Sequence, residues 1–334
     1  MHSEAPTPAQ YDFPKIDAHV HLNNPKLALA DIADSTGFGL ITINTEAYFF
    51  PSLSDQKSIA QNASGHNYLC TFSTEHFGET GWQDLAIRQI EKGMNNGALG
   101  VKIWKNIGLE LKGKLGEYIM ADHTGFDPIY EYLTNNKIPL LTHLGEPKNC
   151  WLPLEEMTVT SDIVYFSRHP EYHMYLNKET PSYEAQLDAR DRVLEKYPGL
   201  KIIGAHLASL EWSVDELAKW LTRFPETSVD LAERVCHLQH QASENQPKIK
   251  QFVDTFQDRI IYGSDQIDDG TLPKKELEAI IHQKWTSEFR FFAEETVQTT
   301  PNVAKPFRGL GLEPTILKKI FYDNAFTFYP LLTK

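Results

Sequence analysis

The chain has 334 residues and a mass of 38.1 kDa, with 41% hydrophobic and 23% charged residues. That is apolar enough for a sizeable core and too even a mixture for a disordered, collagenous or coiled-coil protein. Its 32 Lys and Arg stand against 45 Asp and Glu, a net charge of −13, which repels nucleic-acid backbones and anionic lipid surfaces. No run of 18 apolar residues occurs, so no transmembrane segment is expected and the composition is that of a soluble globular protein.

The start, MHSEAPTPAQ, has neither a basic stretch nor an apolar one and does not read as an intact export signal. Its Ala, Pro and Thr resemble the tether left after an export or lipoprotein signal is cut away, with Met-His as an added remnant. Residues 1–13 are therefore expected to be a tether and 14–334 a single domain. The compartment stays open between the cytoplasm and a periplasmic or lipoprotein location. Cys70, Cys150 and Cys236 are odd in number and far apart, which excludes a disulfide scaffold or a Cys-x-x-Cys site and points to three buried thiols.

Short β-branched runs alternate with longer amphipathic ones. Strands are expected at 15–21, 38–45, 67–75, 99–104, 138–143, 201–206, 228–232 and 259–264. Helices are expected at 82–95, 127–136, 183–196, 213–223 and 247–256, and a last one at 314–322. Eight such alternations without an internal repeat or linker predict one (β/α)₈ TIM barrel. Two stretches are too long for plain connections: Leu144 to Pro181 after the fifth strand, rich in aromatics, and Gln266 to Gly311 after the eighth, with a helix near 275–282. Long segments of this kind are usually functional or carry structure of their own.

The chemistry begins at Ile16-Asp17-Ala18-His19-Val20-His21-Leu22. Residues i and i+2 of a strand share a face, so His19 and His21 are expected to point together into the barrel mouth, where two imidazoles can converge on a metal. Further ligand-type residues stand where other strands are expected to end: Lys102, His143, His206 and Asp265. His21 and Lys102 are 81 residues apart, and His206 and Asp265 are 59 apart, near multiples of the roughly 30 residues of a βαβ unit. Catalytic groups of such barrels gather at the C-terminal ends of several strands.

On these marks, together with His-Leu-Gly-Glu-Pro, Gly-Ala-His, Gly-Ser-Asp and the closing Tyr-Asp-Asn-Ala-Phe-Thr-Phe-Tyr, the chain resembles the amidohydrolase superfamily. The likeness is to its amidohydrolase-related branch, which includes enzymes like aminocarboxymuconate-semialdehyde decarboxylase. The resemblance implies that His19, His21 and Asp265 ligate a first metal, joined by His143 in single-metal members. It makes His206 a second-metal ligand or an acid/base residue, and Asp265 the group that takes a proton from metal-activated water. The cofactor implied is one or two divalent ions, zinc first and manganese or iron as alternatives. Lys102 has several readings: a carbamate bridging two metals, a plain ammonium holding a substrate carboxylate, a structural ion pair, or a Schiff-base lysine.

Substrate contacts are expected from Trp104, Lys105, Glu146, Trp151, Tyr172 and Arg234, the last because its planar fork matches a carboxylate. His169, His173, His237 and His240 are expected in loops, outside the ligand set. The sequence thus predicts a metal-dependent hydrolase of a small polar lactone, cyclic amide or ester. Non-oxidative decarboxylation and a barrel that binds without turnover are the alternatives. A small molecule is the expected partner, and a homo-oligomer is compatible with the chain.

Overall fold

The computed structural model describes residues 11–333; most of the expected tether, residues 1–10, lies outside them. Eight parallel strands form the frame. They are β1 (Lys15–Leu22), β2 (Phe38–Ile43), β3 (Asn67–Leu69), β4 (Val101–Ile103), β5 (Leu140–Thr142), β6 (Ile202–Gly204), β7 (Ser228–Asp230) and β8 (Ile260–Ile261). A further strand, β9 (Gln266–Asp268), lies parallel to β1, and β10 (Val297–Thr300) and β11 (Val303–Arg308) make an antiparallel hairpin. The ladders run β3-β2-β1-β9 and β4-β5-β6-β7-β8. Backbone contacts cross both seams: Cys70 bridges to Val101, the Ala18 N–H donates to Tyr262 O at 3.0 Å, and the Asp265 N–H donates to His19 O at 2.8 Å. Parallel strands alternating with helices are the α/β barrel architecture.

Two cores follow from the strand pleat. Ile16, Ala18, Ile41, Ile43, Leu69, Leu141, Ile203 and Ile261 fill the interior, joined by Ala325 of the closing helix Asn324–Phe328 and by Tyr329 just after it. The Asn324 amide pins that helix by donating to Ile260 O at 2.8 Å and Gln257 O at 2.7 Å. The opposite faces of the strands pack outward on the helices through residues such as Val20, Leu40, Val101, Leu140 and Val229. Along β1 the register to β2 shifts between Asp17 and Val20. Ile16 and Ala18 face the interior, yet beyond the shift Val20 and Leu22 pack outward while His19 and His21 line the mouth. A bulge-like irregularity re-aims the side chains beyond it.

Several elements differ from the sequence reading. Strands three to eight are two or three residues long, because one or both ends of each expected span leave the ladder. Helices Ala28–Thr36 and Leu53–Asn62 carry weak apolar patterns; in the second only Gln56, Ile59 and Ala60 are buried. The helix expected at 247–256 is the second limb of Val235–Phe256, broken at Asn245 just before Pro247. His237 and His240 therefore sit on a helix, where a loop was expected. The segment after β5 carries short 3₁₀ turns and helix Thr160–Arg168, and the one after β8 carries β9, helix Lys274–Ala293 and the hairpin. All three cysteines are free and buried. No helix among the described residues is long and apolar enough to cross a membrane.

Candidate metal centre

The strand ends bring His19, His21, Lys102, His143, His206 and Asp265 into one cavity of about 430 Å³, walled by Phe49, Phe50, Trp104, Tyr165 and Phe166. Asp265 Oδ1 lies 3.3 Å from His19 Nε2 and 3.2 Å from His21 Nε2. Those three side chains can offer one ligand atom each within 4.8 Å of one another.

The other ring nitrogens decide what those atoms are. His19 Nδ1 is 2.7 Å from Asp230 Oδ2, His21 Nδ1 is 3.0 Å from Ile43 O, and His206 Nδ1 is 2.9 Å from Ala232 O. Each partner only accepts, so each imidazole carries its proton on Nδ1 and, when neutral, leaves Nε2 as a bare lone pair. Burial favours the neutral form by pushing His21 down and His206 well down. In the neutral form, two imidazole nitrogens and a carboxylate oxygen converge as a donor set suited to a cation, with each ring held from behind as outer partners of ligating histidines typically hold them. The residues fit a divalent metal. His143 Nδ1 lies 3.2 Å from His206 Nε2, and burial, with the Lys102 and Lys105 charges, holds His143 well down.

Strain marks the same strand ends. His206, Leu207, Ala208 and Ser209 have φ of 58°, 56°, 56° and 55°, and Glu233 and Asp265 have 55° and 61°. None is glycine, and backbone held there is over-determined by its surroundings. The Asp230 Oδ1 oxygen supplies part of that hold, accepting from the His206 N–H at 2.7 Å and the Ala232 N–H at 3.2 Å. Gly263 is a matter of room, since a Cβ there would lie 2.7 Å from His19 Cβ.

Lys102 is fully buried, and its Nζ has no hydrogen-bond partner among the described residues. Burial pushes its ammonium down to about 8, against the pull of Asp230 and Asp265. Asp265 is held well below the usual carboxylate range: burial raises it, and His19, the His21 contact and His206 outweigh that.

The expected substrate contacts divide. Trp104, Lys105, Glu146 and Arg234 line the cavity. Lys105 and Glu146 are ion-paired and also line an adjoining cleft of about 670 Å³. Tyr172 lines that cleft only, its hydroxyl against that of Tyr48 and its ring 4.9 Å from Lys105 Nζ. Trp151 lies apart, edge-on to Tyr183 at 5.5 Å. Arg234 Nη1 donates to Glu233 O at 3.3 Å and lies 3.9 Å from Asp162 Oδ1. The sequence reading missed Asp230, although an acid inside the apolar run Ser228-Val-Asp-Leu-Ala232 was a signal. It also missed Asp162, which draws the His237 ring to 3.1 Å.

A parallel strand frame with ligand-type side chains converging at its C-terminal ends defines an α/β barrel of the amidohydrolase kind. The model of the family described as amidohydrolase matches residues 79–331, and the chain belongs to that family. The match begins downstream of His19 and His21. No curated protein matches the sequence. Among solved structures, a TIM-barrel protein from Bordetella bronchiseptica is 14% identical, with 96% of this chain and 99% of that one covered and a TM-score of 0.54. The 2,6-dihydroxybenzoate decarboxylase from Rhizobium is 13% identical, with 95% and 99% covered and a TM-score of 0.51. At such identity the likeness is one of fold.

Proposed function

We propose that the protein is a metal-dependent hydrolase that adds water to the carbonyl carbon of a small polar lactone, cyclic amide or ester. The observation that carries this reading is the convergence of His19 Nε2, His21 Nε2 and Asp265 Oδ1, with both rings held from behind through Nδ1. His19, His21 and Asp265 would hold a cation, with His143 and His206 beside them. Such a cation, zinc by ligand type with manganese or iron as alternatives, supplies Lewis acidity that makes water a nucleophile near neutral pH.

The chain's own groups do the rest. Asp265 turns Oδ1 to the imidazoles, so its other oxygen takes the proton of the attacking water and returns it to the leaving group. His206, its Nδ1 proton fixed on Ala232 O, offers Nε2 as the second acid/base position. Arg234 and Lys105 face the polar end of the substrate, and Phe49, Phe50, Trp104, Tyr165 and Phe166 exclude bulk water.

Lys102 separates this reading from its rival. As a carbamate its side chain becomes an anion suited to a second cation, which favours hydrolysis. As an unpartnered ammonium it would seat a substrate carboxylate, which favours non-oxidative decarboxylation. Turnover of a panel of lactones, cyclic amides, esters and carboxylates in ¹⁸O-labelled water decides between them. Label in the organic product supports hydrolysis; carbon dioxide release with an unlabelled organic product replaces it with decarboxylation.

A further inference from the structure

Asp17 lies two residues before His19, and simple alternation along β1 would aim both into the mouth. The structure places its carboxylate elsewhere. Asp17 is fully buried at the point where the β1 register shifts. Its Oδ1 accepts from the Ser264 N–H at 2.9 Å and from the His19 N–H at 3.4 Å, and its Oδ2 accepts from the Trp285 indole N–H at 2.8 Å. Trp285 is itself buried on helix Lys274–Ala293 and stacked on Phe38 at 4.0 Å.

These contacts close a circuit around two of the proposed ligands. From His19 it runs through Asp17 to Ser264, and the next residue, Asp265, returns its N–H to His19 O at 2.8 Å. Asp265 sits at φ 61°, a conformation that its surroundings must enforce. Asp17 grips the backbone of β1 and of the Ser264–Asp265 turn together through one carboxylate oxygen. We propose that Asp17, anchored by Trp285, is a positioning residue that sets the distance between His19 Nε2 and Asp265 Oδ1 and so the cation affinity of the site. The helix beyond β8 thereby becomes part of the metal centre without touching it. This inference rests on the cation site proposed above.

The chemistry of the carboxylate makes it testable. Three N–H donors converge on two acceptor oxygens, so in Asp17→Asn the amide NH₂ must face a donor whichever way it turns, and a buried donor loses its acceptor. The purified chain, stripped with a chelator, is titrated with Zn²⁺ against a chromophoric competitor and with Co²⁺ read by its visible ligand-field band. Asp17→Asn is expected to weaken Zn²⁺ binding about 10–100-fold, as loss of an outer partner of a ligand commonly does, and to shift the Co²⁺ band. Trp285→Phe, which keeps the Ser264 contact but removes the anchor, is expected to weaken binding by less. Ile281→Ala, in the core on the same helix, is expected to lower the melting temperature and leave affinity within twofold.

Asp17→Asn binding Zn²⁺ within twofold of the wild type overturns the positioning role alone. Should that variant not fold, unchanged affinity in Trp285→Phe overturns it. A wild-type chain that takes up neither ion overturns the cation site and this inference with it.

Discussion

Asp230 receives the Nδ1 proton of His19 at 2.7 Å on one carboxylate oxygen and the backbone N–H of His206 at 2.7 Å on the other. One side chain of β7 therefore sets the tautomer of a group from β1 and caps the left-handed turn that carries a group from β6. Asp230→Ala should unsettle both, leaving the buried His206 N–H without its acceptor at a cost of about 2 kcal/mol. It should also let the His19 ring lose its fixed tautomer. Calorimetry and zinc titration check this together; a variant that melts with the wild type and binds zinc equally well removes Asp230 from the centre.

Lys102 gives a prediction of opposite sign. A buried ammonium without a partner disfavours the fold, so Lys102→Met should stabilise the metal-free protein in bicarbonate-free buffer, by about 1–3 kcal/mol. In bicarbonate with zinc, the same variant should hold one ion fewer per chain if the lysine bridges two as a carbamate. A fall in the melting temperature of the metal-free variant would show that Lys102 has a stabilising partner in solution.

Gly263 is required by space. Its absent Cβ would stand 2.7 Å from His19 Cβ and 3.3 Å from the His19 backbone nitrogen, and neither can yield without moving β1. Gly263→Ala should displace the His19 ring and lower zinc affinity at least tenfold, more than it lowers the melting temperature. Isothermal titration beside a melting curve separates the two effects.

A pH dependence arises away from the centre. Glu288 accepts from the Tyr262 hydroxyl at 2.7 Å, and burial, countered by Lys284 and that hydrogen bond, pushes its carboxyl up to about 7. The folded state therefore favours the protonated form, whereas the unfolded chain releases that proton near 4.5. The contribution is fully present below pH 4.5 and is lost as pH rises through about 7. Over that window Glu288 costs on the order of 3 kcal/mol. Glu288→Gln should flatten the decline, matching the wild type in acid and exceeding it above neutrality. Parallel stability curves in both variants across this range would assign the decline to other groups.

The histidines and Asp265 were legible because ligand chemistry needs particular side chains, and a barrel needs them at strand ends at regular intervals. His19 and His21 could be paired from the pleat alone. Asp17 could not be separated from them by the same rule, because the register shift that turns it outward depends on how β1 meets β2 and β8. The first two helices were hidden for a related reason. Leu53–Asn62 buries only a narrow stripe, so its helicity is fixed by contact with the barrel more than by its own pattern.

The sequence by itself determined the strand-and-helix alternation, the buried thiols and which polar side chains stand at the strand ends, since these depend on residue type and local periodicity. The tertiary structure decided which nitrogen of each imidazole carries the proton, because that is set by Asp230, Ile43 O and Ala232 O, groups distant along the chain. It also decided that Lys102 finds no hydrogen-bond partner among the described residues and that Trp151 lies outside the cavity, since burial and missing partners are properties of the packed barrel and of no single segment.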